Sequence, residues 1–402
     1  MTVNYSVPAL VRANVVRKGG ALQFVTKADP AEAVGVLREA AIRATAPFLG
    51  PDMDEEYYIS VSGCAAAPDG PIVVLAVCDS PELLEAWLVS VAADLEQAGL
   101  SGRIQAAKSV ETPRINAPMM TAGIALQVET DSVTTSHRNN GTQPDLAWCV
   151  SEERTSRVLP GLISWCLDGP GEVHLHAGVG MDLAPEDIEP IVMSSVGAET
   201  SILLQRMTED RRHLRRLELY LDGEVICTTY DADQDWPDRL RSVQQPLRHA
   251  APDALYAFAR VAAPLVSLIH VWRYPPKVPY IAEGGHTSVR LWPYNTLFDR
   301  YVPDAYPQQV LTTAHLDRIG ELSPERWQVE PLAADRYLVS ARDMSPWLNW
   351  DPTPYGKGDN HYARDAAPGP EVLAQARADF APALMTTTVV AEHPPLASPH
   401  VE

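Results

Sequence analysis

Hydrophobic and polar positions in the first hundred residues alternate between helical and strand spacing. A capping sequence at Asp29-Pro30 predicts a helix over Pro30–Ala46. Extended segments follow at Tyr57–Ser62 and Ile72–Val77, and the second is an apolar run typical of a strand buried on both faces. These elements predict a sheet with a helix packed against it.

A second helix is predicted after Ser80, where Pro81 suits the first helical position and Gly99 ends the apolar pattern. With strands expected near Leu10–Val16 and Arg103–Ser109, the order is strand, helix, strand, strand, helix, strand. That order is the one found in ferredoxin-like folds. The apolar stripe of the second helix comprises Leu84, Trp87, Leu88, Val91 and Leu95.

The middle of the chain carries a further set of helices and strands. Its strongest pattern is a hairpin, because Asp222-Gly223 suits a type I′ turn between Leu214–Leu221 and Glu224–Tyr230. This part is therefore predicted to contain antiparallel pairing. The other expected elements are helices from about Glu152 and Pro185 and strands at Glu172–Ala177 and Ser201–Arg206.

A polar stretch, which contains one strand-like segment at Gly123–Glu129, separates these two regions. We expect an N-terminal α/β domain over residues 1–115, a linker or loop over 116–150 and a second α/β domain over 151–350. Residues 351–402, rich in Pro and Asp, are expected to form an irregular extension with a helix near Glu371–Phe380. The predicted class is α+β, with a ferredoxin-like arrangement as the candidate for the first domain.

Composition restricts the range of partners. The chain has 402 residues and a formal net charge of −20, which disfavours nucleic acid and anionic membranes and favours a basic partner. Five scattered cysteines without a C-x-x-C pair are typical of a reducing compartment. No secretion signal or membrane span is visible, so we expect a cytoplasmic protein. No cofactor is predicted.

Two histidines on one predicted strand form the clearest metal-binding pattern. His174 and His176 are two residues apart, so a strand directs both imidazoles to the same face, and Asp182 follows as a candidate carboxylate ligand. A metal-dependent hydrolase is the function that this set suggests. The alternative is a surface strand face with two neutral histidines.

Two further features invite a chemical interpretation. Cys78 ends an apolar strand before a helix N-terminus, which suits either an activated thiol or a small buried side chain. Arginines concentrate around the predicted hairpin, where a solvated strand face with ion pairs is favoured over a phosphate site. The arginines are Arg206, Arg211, Arg212, Arg215 and Arg216, with His213 among them.

Aromatic side chains in the proline-rich part are candidates for partner binding. Trp292, Tyr294, Trp347 and Trp350 lie in loop-like sequence, and aromatic residues are frequent anchors of protein interfaces. The alternative is that they pack the C-terminal region onto the domain beneath. Nucleotide-binding loops, nucleophile elbows and zinc-protease motifs are absent from the sequence.

One resemblance bears on function. Residues 305–350 resemble the C-terminal part of certain bacterial immunity-type proteins, which bind and block a cognate toxin; no contact residue can be carried over from them. The leading hypothesis is a non-enzymatic cytoplasmic protein that binds another protein, with a metal-dependent hydrolase or a structural, self-associating subunit as alternatives. The stretches that carry the resemblance are Tyr306–Leu311, Ala314–Gly320, Trp327–Leu332 and Tyr337–Val339.

Overall fold

The fold of this computed structural model is α+β, as the sequence predicts. The structure describes residues 2–18, 20–48, 59–110, 121–128, 130–136, 145–150, 152–196, 202–219, 224–231, 233–234, 236–263, 297–347, 364–365 and 370–393. The described helices are α1 (Val7–Arg12), α2 (Val15–Lys18), α3 (Pro30–Thr45), α4 (Pro81–Gln97), α5 (Glu152–Leu167), α6 (Pro185–Ser195), α7 (Trp236–Ser242), α8 (Gln244–Ala250), α9 (Thr313–Ile319), α10 (Pro370–Phe380) and α11 (Thr387–Glu392). The described strands are β1 (Val3–Asn4), β2 (Gly20–Thr26), β3 (Ile59–Ala65), β4 (Ile72–Cys78), β5 (Gly102–Ala106), β6 (Thr121–Val128), β7 (Thr130–Ser136), β8 (Asp145–Val150), β9 (Glu172–Ala177), β10 (Val179–Met181), β11 (Ile202–Met207), β12 (His213–Leu219), β13 (Glu224–Asp231), β14 (Ala254–Ala263), β15 (Gln308–Leu311), β16 (Trp327–Ala333), β17 (Arg336–Ala341) and β18 (Arg364–Asp365).

The smaller sheet has the strand order β1-β5-β2-β4-β3. Strands β2 to β5 and helices α3 and α4 follow one another in the predicted order of strand, helix, strand, strand, helix and strand. The ferredoxin-like topology stays a prediction beyond this order. Helices α3 and α4 share a core with the sheet that includes Phe24, Leu75 and Trp87.

The strand expected near Leu10–Val16 is wrong, because α1 and α2 occupy this segment. Pro8 lies in the first turn of α1, where a missing backbone N–H costs no helical hydrogen bond. Asn14 has a positive φ of 60° and separates the two short helices. The first long strand therefore begins only at Gly20.

Helix α4 confirms the apolar stripe expected after Ser80. The Ser80 side chain caps the helix by accepting a hydrogen bond from the N–H of Leu83 (3.2 Å). All five residues of the stripe are buried. The indole N–H of Trp87 donates to Thr45 Oγ1 (3.0 Å), which joins α4 to α3.

The larger sheet has the order β10-β9-β11-β12-β13-β6-β14-β15-β17-β16, with β18 paired to β14. The predicted hairpin is confirmed, since β12 and β13 pair antiparallel from His213 opposite Asp231 to Leu219 opposite Val225. Helices α5, α6 and α8 contribute to the core against one face of this sheet. The residues on that face include Leu175, Leu204, Leu217 and Cys227.

Strands also occur where a linker or loop was expected over residues 116–150. Strand β6 pairs with both β13 and β14 inside the larger sheet, and β7 pairs with β8. Strand β6 contains most of the strand-like stretch Gly123–Glu129, and β7 is rich in threonine, which is polar yet favourable in strands. The domain boundaries themselves stay a prediction.

The two sheets contact each other closely. Ala66 follows β3 and lies in the core beneath the larger sheet, and its backbone N–H donates to the Ser195 side chain at the end of α6 (2.9 Å). The N–H of Val110 donates to the carbonyl oxygen of Gly180 in β10 (2.9 Å). The smaller sheet is thus joined to the larger one by core packing and by hydrogen bonds.

The C-terminal part combines β15, β16 and β17 with α9 and α10. Helix α10 confirms the helix expected near Glu371–Phe380, whereas α11 lies where an irregular extension was expected. Phe380 packs edge-on against Trp327 with ring centroids 4.8 Å apart. Within the described residues, no helix combines the length and apolar character needed to cross a membrane.

Candidate functional site

A cleft of about 250 Å³ lies at the end of the larger sheet where β12 begins and β13 ends. Its position follows from the antiparallel pairing, because His213 at the start of β12 stands opposite Asp231 at the end of β13. The segment after α5 forms another wall. The polar side chains that line this cleft include Asp168, Arg206, Thr208, His213, Arg215 and Asp231.

Two arginines of the cleft bind the C-terminal end of α5. Arg206 donates from Nε to the carbonyl oxygen of Cys166 (3.0 Å) and also bonds the carbonyl oxygen of Pro170. Arg215 donates to the carbonyl oxygen of Trp165 (2.6 Å). Cations are favourable beside unsatisfied carbonyl groups at a helix C-terminus, so these contacts stabilise α5 and fix both guanidinium groups.

The environment of these arginines differs from the solvated face that the sequence predicts. Arg206 and Arg216 are buried, so that expectation is wrong for them: Arg206 lies on the face that α5 packs against, and Arg216 is covered on the opposite face. Burial lowers the pKa of Arg206, and the neighbouring charge of Arg215 lowers it further. Arg215 and Arg212 do form the expected ion pairs, with Asp168 (3.2 Å) and Asp233 respectively.

His213, Asp231 and Asp233 form a cluster at the mouth of the cleft. His213 Nδ1 lies 3.1 Å from Asp231 Oδ1, and His213 Nε2 lies 3.6 Å from Asp233 Oδ2. One possible ligand atom from each side chain lies within 4.8 Å of the other two. Imidazole and carboxylate groups in this arrangement can coordinate a divalent cation.

The turn between β11 and β12 positions His213. Thr208 Oγ1 accepts a hydrogen bond from the N–H of His213 (3.1 Å). Asp210 Oδ1 accepts from the N–H of Arg212 (3.0 Å), and Thr208 Oγ1 donates to the same oxygen (2.6 Å). The hydrogen bond from Thr208 is the main cause of the lowered pKa of Asp210.

The predicted metal set lies elsewhere, on β9 and just after β10. His174 Nδ1 is 3.8 Å from Asp182 Oδ1, and His174 Nε2 is 3.7 Å from Glu172 Oε2. At these distances neither ring nitrogen of His174 makes a hydrogen bond to a residue that the structure describes. The structure thus brings His174 and Asp182 near each other, and the metal set with His176 stays a prediction.

The face of β9 that carries His174 and His176 continues across three more strands. Burial lowers the pKa of His176, and the charge of Arg216 on β12 lowers it further. We call this face of the sheet the polar face, and it lies opposite the face against which α5, α6 and α8 pack. Its polar members are His174, His176, Gln205, Arg216, Glu218 and Thr228.

The predicted aromatic anchors are only partly described. Trp347 is buried and packs against Trp327 with ring centroids 6.2 Å apart, which agrees with the packing alternative for this residue. Trp292, Tyr294 and Trp350 lie outside the described residues. Their assignment to partner binding therefore stays a prediction.

Cys78 takes the role of a small buried side chain. Its Sγ lies 3.7 Å from the carbonyl oxygen of Ser80. Burial raises the pKa of the thiol to about 11, and the charge of Asp79 adds to this shift. At neutral pH the thiol stays protonated, so the position before α4 does not activate it as a nucleophile.

The comparisons with known proteins give no family for this chain. A scan against protein-family models and a search of curated proteins both found no match. The resemblance of residues 305–350 to immunity-type proteins therefore stays a prediction. The helix-then-strand part of its pattern corresponds to α9, β16 and β17.

Sequence reasoning missed the cluster at the cleft although its signals were present. The predicted hairpin already placed His213 beside the end of β13, where Asp231 and Asp233 follow. In the sequence His213 stands among arginines, whereas the two aspartates come only after the second strand of the predicted hairpin. The pairing register was the information needed to bring the three residues together.

Proposed function

We propose that the chain is a binding protein whose cleft takes a divalent cation through His213, Asp231 and Asp233. The observation that carries this proposal is the mutual approach of the three ligand atoms to within 4.8 Å. Their side chains are 36%, 21% and 57% exposed, so a cation held here keeps coordination positions for water or a ligand. Zn²⁺ and Mn²⁺ both accept this ligand set.

The charges around the cleft indicate the class of ligand. Arg212 pairs with Asp233 and neutralises one carboxylate, a role that a bound cation takes over. Arg206 and Arg215 add positive charge along the cleft wall. A small anionic ligand that coordinates the cation and faces these guanidinium groups is therefore favoured by electrostatics.

Metal titration tests the cation site and separates it from the predicted set on β9. Protein dialysed against a chelator is titrated with Zn²⁺ and Mn²⁺ by calorimetry, for the native chain and for His213→Ala, Asp231→Asn and His174→Ala. We expect one site per chain that is lost in the first two variants and kept in the third. Loss in His174→Ala with retention in His213→Ala contradicts the proposal and favours the predicted set.

The same measurement bears on the hydrolase alternative. A bound divalent cation lowers the pKa of coordinated water and can supply a nucleophilic hydroxide. Metal-dependent turnover of an ester or phosphoester substrate that disappears in Asp231→Asn makes the cleft an active site. Metal binding without turnover of these substrates keeps the assignment at binding.

A second proposal is the non-enzymatic binding of a basic protein partner in the cytoplasm. Its support is the net charge of −20 together with the internal pairing of basic side chains, which leaves surplus charge that is acidic. Pull-down by immobilised protein at low and high salt tests it, since the attraction weakens as salt rises. A partner that salt does not release contradicts the electrostatic mechanism. Examples of paired arginines are Arg43 with Asp94, Arg157 with Asp253, Arg326 with Asp379 and Arg377 with Asp304.

A further inference from the structure

Arg216 lies at the centre of the polar face and is 2% exposed. The register places Gln205 opposite both His174 and Arg216, and Arg216 opposite Thr228, so the four residues form one row across β9, β11, β12 and β13. Residues that stand opposite each other in antiparallel strands share a face. Arg215 points to the other face and belongs to the cleft, so the row is separate from the cleft.

The guanidinium group of Arg216 has a partner for its charge but not for its hydrogen-bond donors among the described residues. Its Nε lies 2.5 Å from Glu218 Oε1, an ion pair in which both side chains are almost completely buried. Within the part of the chain that the structure describes, none of its three guanidinium nitrogens has a hydrogen-bond partner. The hydroxyl of Thr228, which is 3% exposed, has none either.

Unmatched buried donors are unusual in folded proteins and call for an acceptor. Most buried polar side-chain atoms have a hydrogen-bond partner, and an unmatched guanidinium is among the more costly exceptions. The ion pair with Glu218 lies on the Nε side of the group and leaves the two Nη atoms as a fork. A planar carboxylate matches such a fork with two parallel hydrogen bonds, whereas a cation or an apolar group does not.

We propose that the polar face binds a small molecule through a carboxylate group, with Arg216 as the anchor and Thr228 as a second donor. Glu218 positions the guanidinium and balances its charge before the ligand arrives. At the β9 end of the row, beyond Gln205, the two ring nitrogens of His174 make no hydrogen bond to the described residues. This site does not rest on the proposed cation site.

The test uses the full chain with acetate and succinate as probes. Thermal unfolding is followed in sodium acetate, sodium succinate, sodium phosphate and sodium chloride at equal ionic strength. A ligand that binds only the folded state raises the unfolding midpoint in proportion to its occupancy. We expect both carboxylates to raise the midpoint above the chloride reference and phosphate to have a smaller effect.

Variants locate the effect on the polar face. Arg216→Lys keeps the charge but loses the fork, so we expect at least a tenfold loss of carboxylate affinity. Thr228→Val keeps the shape of the side chain and tests the site independently if Arg216→Lys does not fold. It should weaken carboxylate binding about threefold, which corresponds to the loss of a hydrogen bond worth about 0.7 kcal/mol. Arg248→Lys, an exposed ion pair with Glu330, is the matched control and should respond like the native chain.

Three outcomes overturn the inference. The first is the absence of any midpoint shift by acetate and succinate relative to chloride. The second is an unchanged shift in both Arg216→Lys and Thr228→Val, which places the carboxylate elsewhere. The third is stabilisation by phosphate alone. Retention of the carboxylate shift in His213→Ala supports the inference, because it separates this site from the cleft.

Discussion

His315 is a fully buried residue at the first turn of α9, where it completes the helix cap. Its Nδ1 accepts a hydrogen bond from the backbone N–H of Thr312 (3.0 Å), and Thr312 Oγ1 in turn accepts from the N–H of His315 (3.2 Å). Burial lowers the pKa of His315 to about 4. The neutral ring is thus the form that the folded chain requires, since a protonated Nδ1 has no lone pair for this hydrogen bond.

The first prediction follows from this depressed pKa. The unfolded chain takes up the proton near pH 6.5 and the folded chain only near pH 4, so the contribution of His315 to stability is present above pH 6.5. It is lost as the pH falls towards 4, at a slope of up to about 1.4 kcal/mol per pH unit. His315→Gln keeps an acceptor for the cap but does not titrate, so its stability should fall less steeply with acid.

Urea unfolding between pH 4.5 and 7.5 measures this difference. The comparison of the variant with the native chain removes the contributions of the carboxylates, which are common to both. Gly35→Ala, at an open position on α3, changes no titratable group and is the control that should keep the native slope. An equal slope in the native chain and in His315→Gln contradicts the assignment.

The second prediction concerns the thiol of Cys78. Because burial raises its pKa to about 11, alkylation by iodoacetamide at pH 8 should be slow in the folded chain and fast in urea. Site-resolved mass spectrometry follows the modification of this cysteine alone. Labelling of folded Cys78 at the rate of an exposed thiol would restore the activated-thiol interpretation.

The sequence pattern predicts whether a single residue is buried or exposed only where one face of an element meets solvent. On β12, Leu217 and Leu219 alternate with Arg216 and Glu218, which is the pattern of a strand with one exposed face. In the folded chain both faces are covered, and Arg216 is 2% exposed. Burial of the polar face depends on distant parts of the chain, so neither it nor the proposed anchor could be inferred locally.

At the scale of elements, local capping allowed helices α3 and α4 to be predicted closely. Asp29 accepts hydrogen bonds from the backbone N–H groups of Ala31 (2.9 Å) and Glu32 (3.3 Å), and Ser80 caps α4 in the same way. The extended stretch at Gly123–Glu129 predicts β6 as a strand, but its place in the sheet could not be predicted, because its partners β13 and β14 lie far along the sequence.

The third prediction concerns the attachment of α10. Phe380 is fully buried against Trp327, and Asp379 accepts from Arg326 (2.7 Å) and from the indole N–H of Trp327 (2.8 Å). Phe380→Ala removes the aromatic contact and leaves a cavity, so the free energy of unfolding should fall by about 3–5 kcal/mol.

Urea denaturation measures this loss, and limited proteolysis shows whether α10 becomes the first site of cleavage. Val329→Ala on β16 is the control, because its side chain is 43% exposed and should cost less than about 1 kcal/mol. A loss for Phe380→Ala as small as that for the control contradicts the view that α10 is held mainly by this ring.

At the scale of the molecule, the contact between the two sheets determines whether they unfold together. Ala65, Ala66 and Ala67 from the smaller sheet belong to the core under the larger one, and small side chains there allow a close approach. The sequence pattern predicts a boundary between these two regions in the polar stretch 116–150. It could not show that β6 from this stretch lies inside the larger sheet, because that pairing is non-local.

The fourth prediction tests this contact at Gly180. A Cβ atom at this position would lie 1.9 Å from the carbonyl oxygen of Val110, a backbone atom that cannot move without separating the segment after β5 from β10. Gly180→Ala should therefore weaken the junction more than the cores of the two sheets. Gly35→Ala on α3 is the control, because its Cβ would meet nothing within 4 Å.

Hydrogen exchange read out by mass spectrometry distinguishes the possible results for Gly180→Ala. We expect faster exchange around Ala66, whose N–H depends on Ser195, while peptides from α4 and β12 keep their protection until global unfolding. Native protection at Ala66 would mean that the hydrogen bond between Val110 and Gly180 does not support the junction. A uniform loss across both sheets would instead show that they form a single cooperative unit.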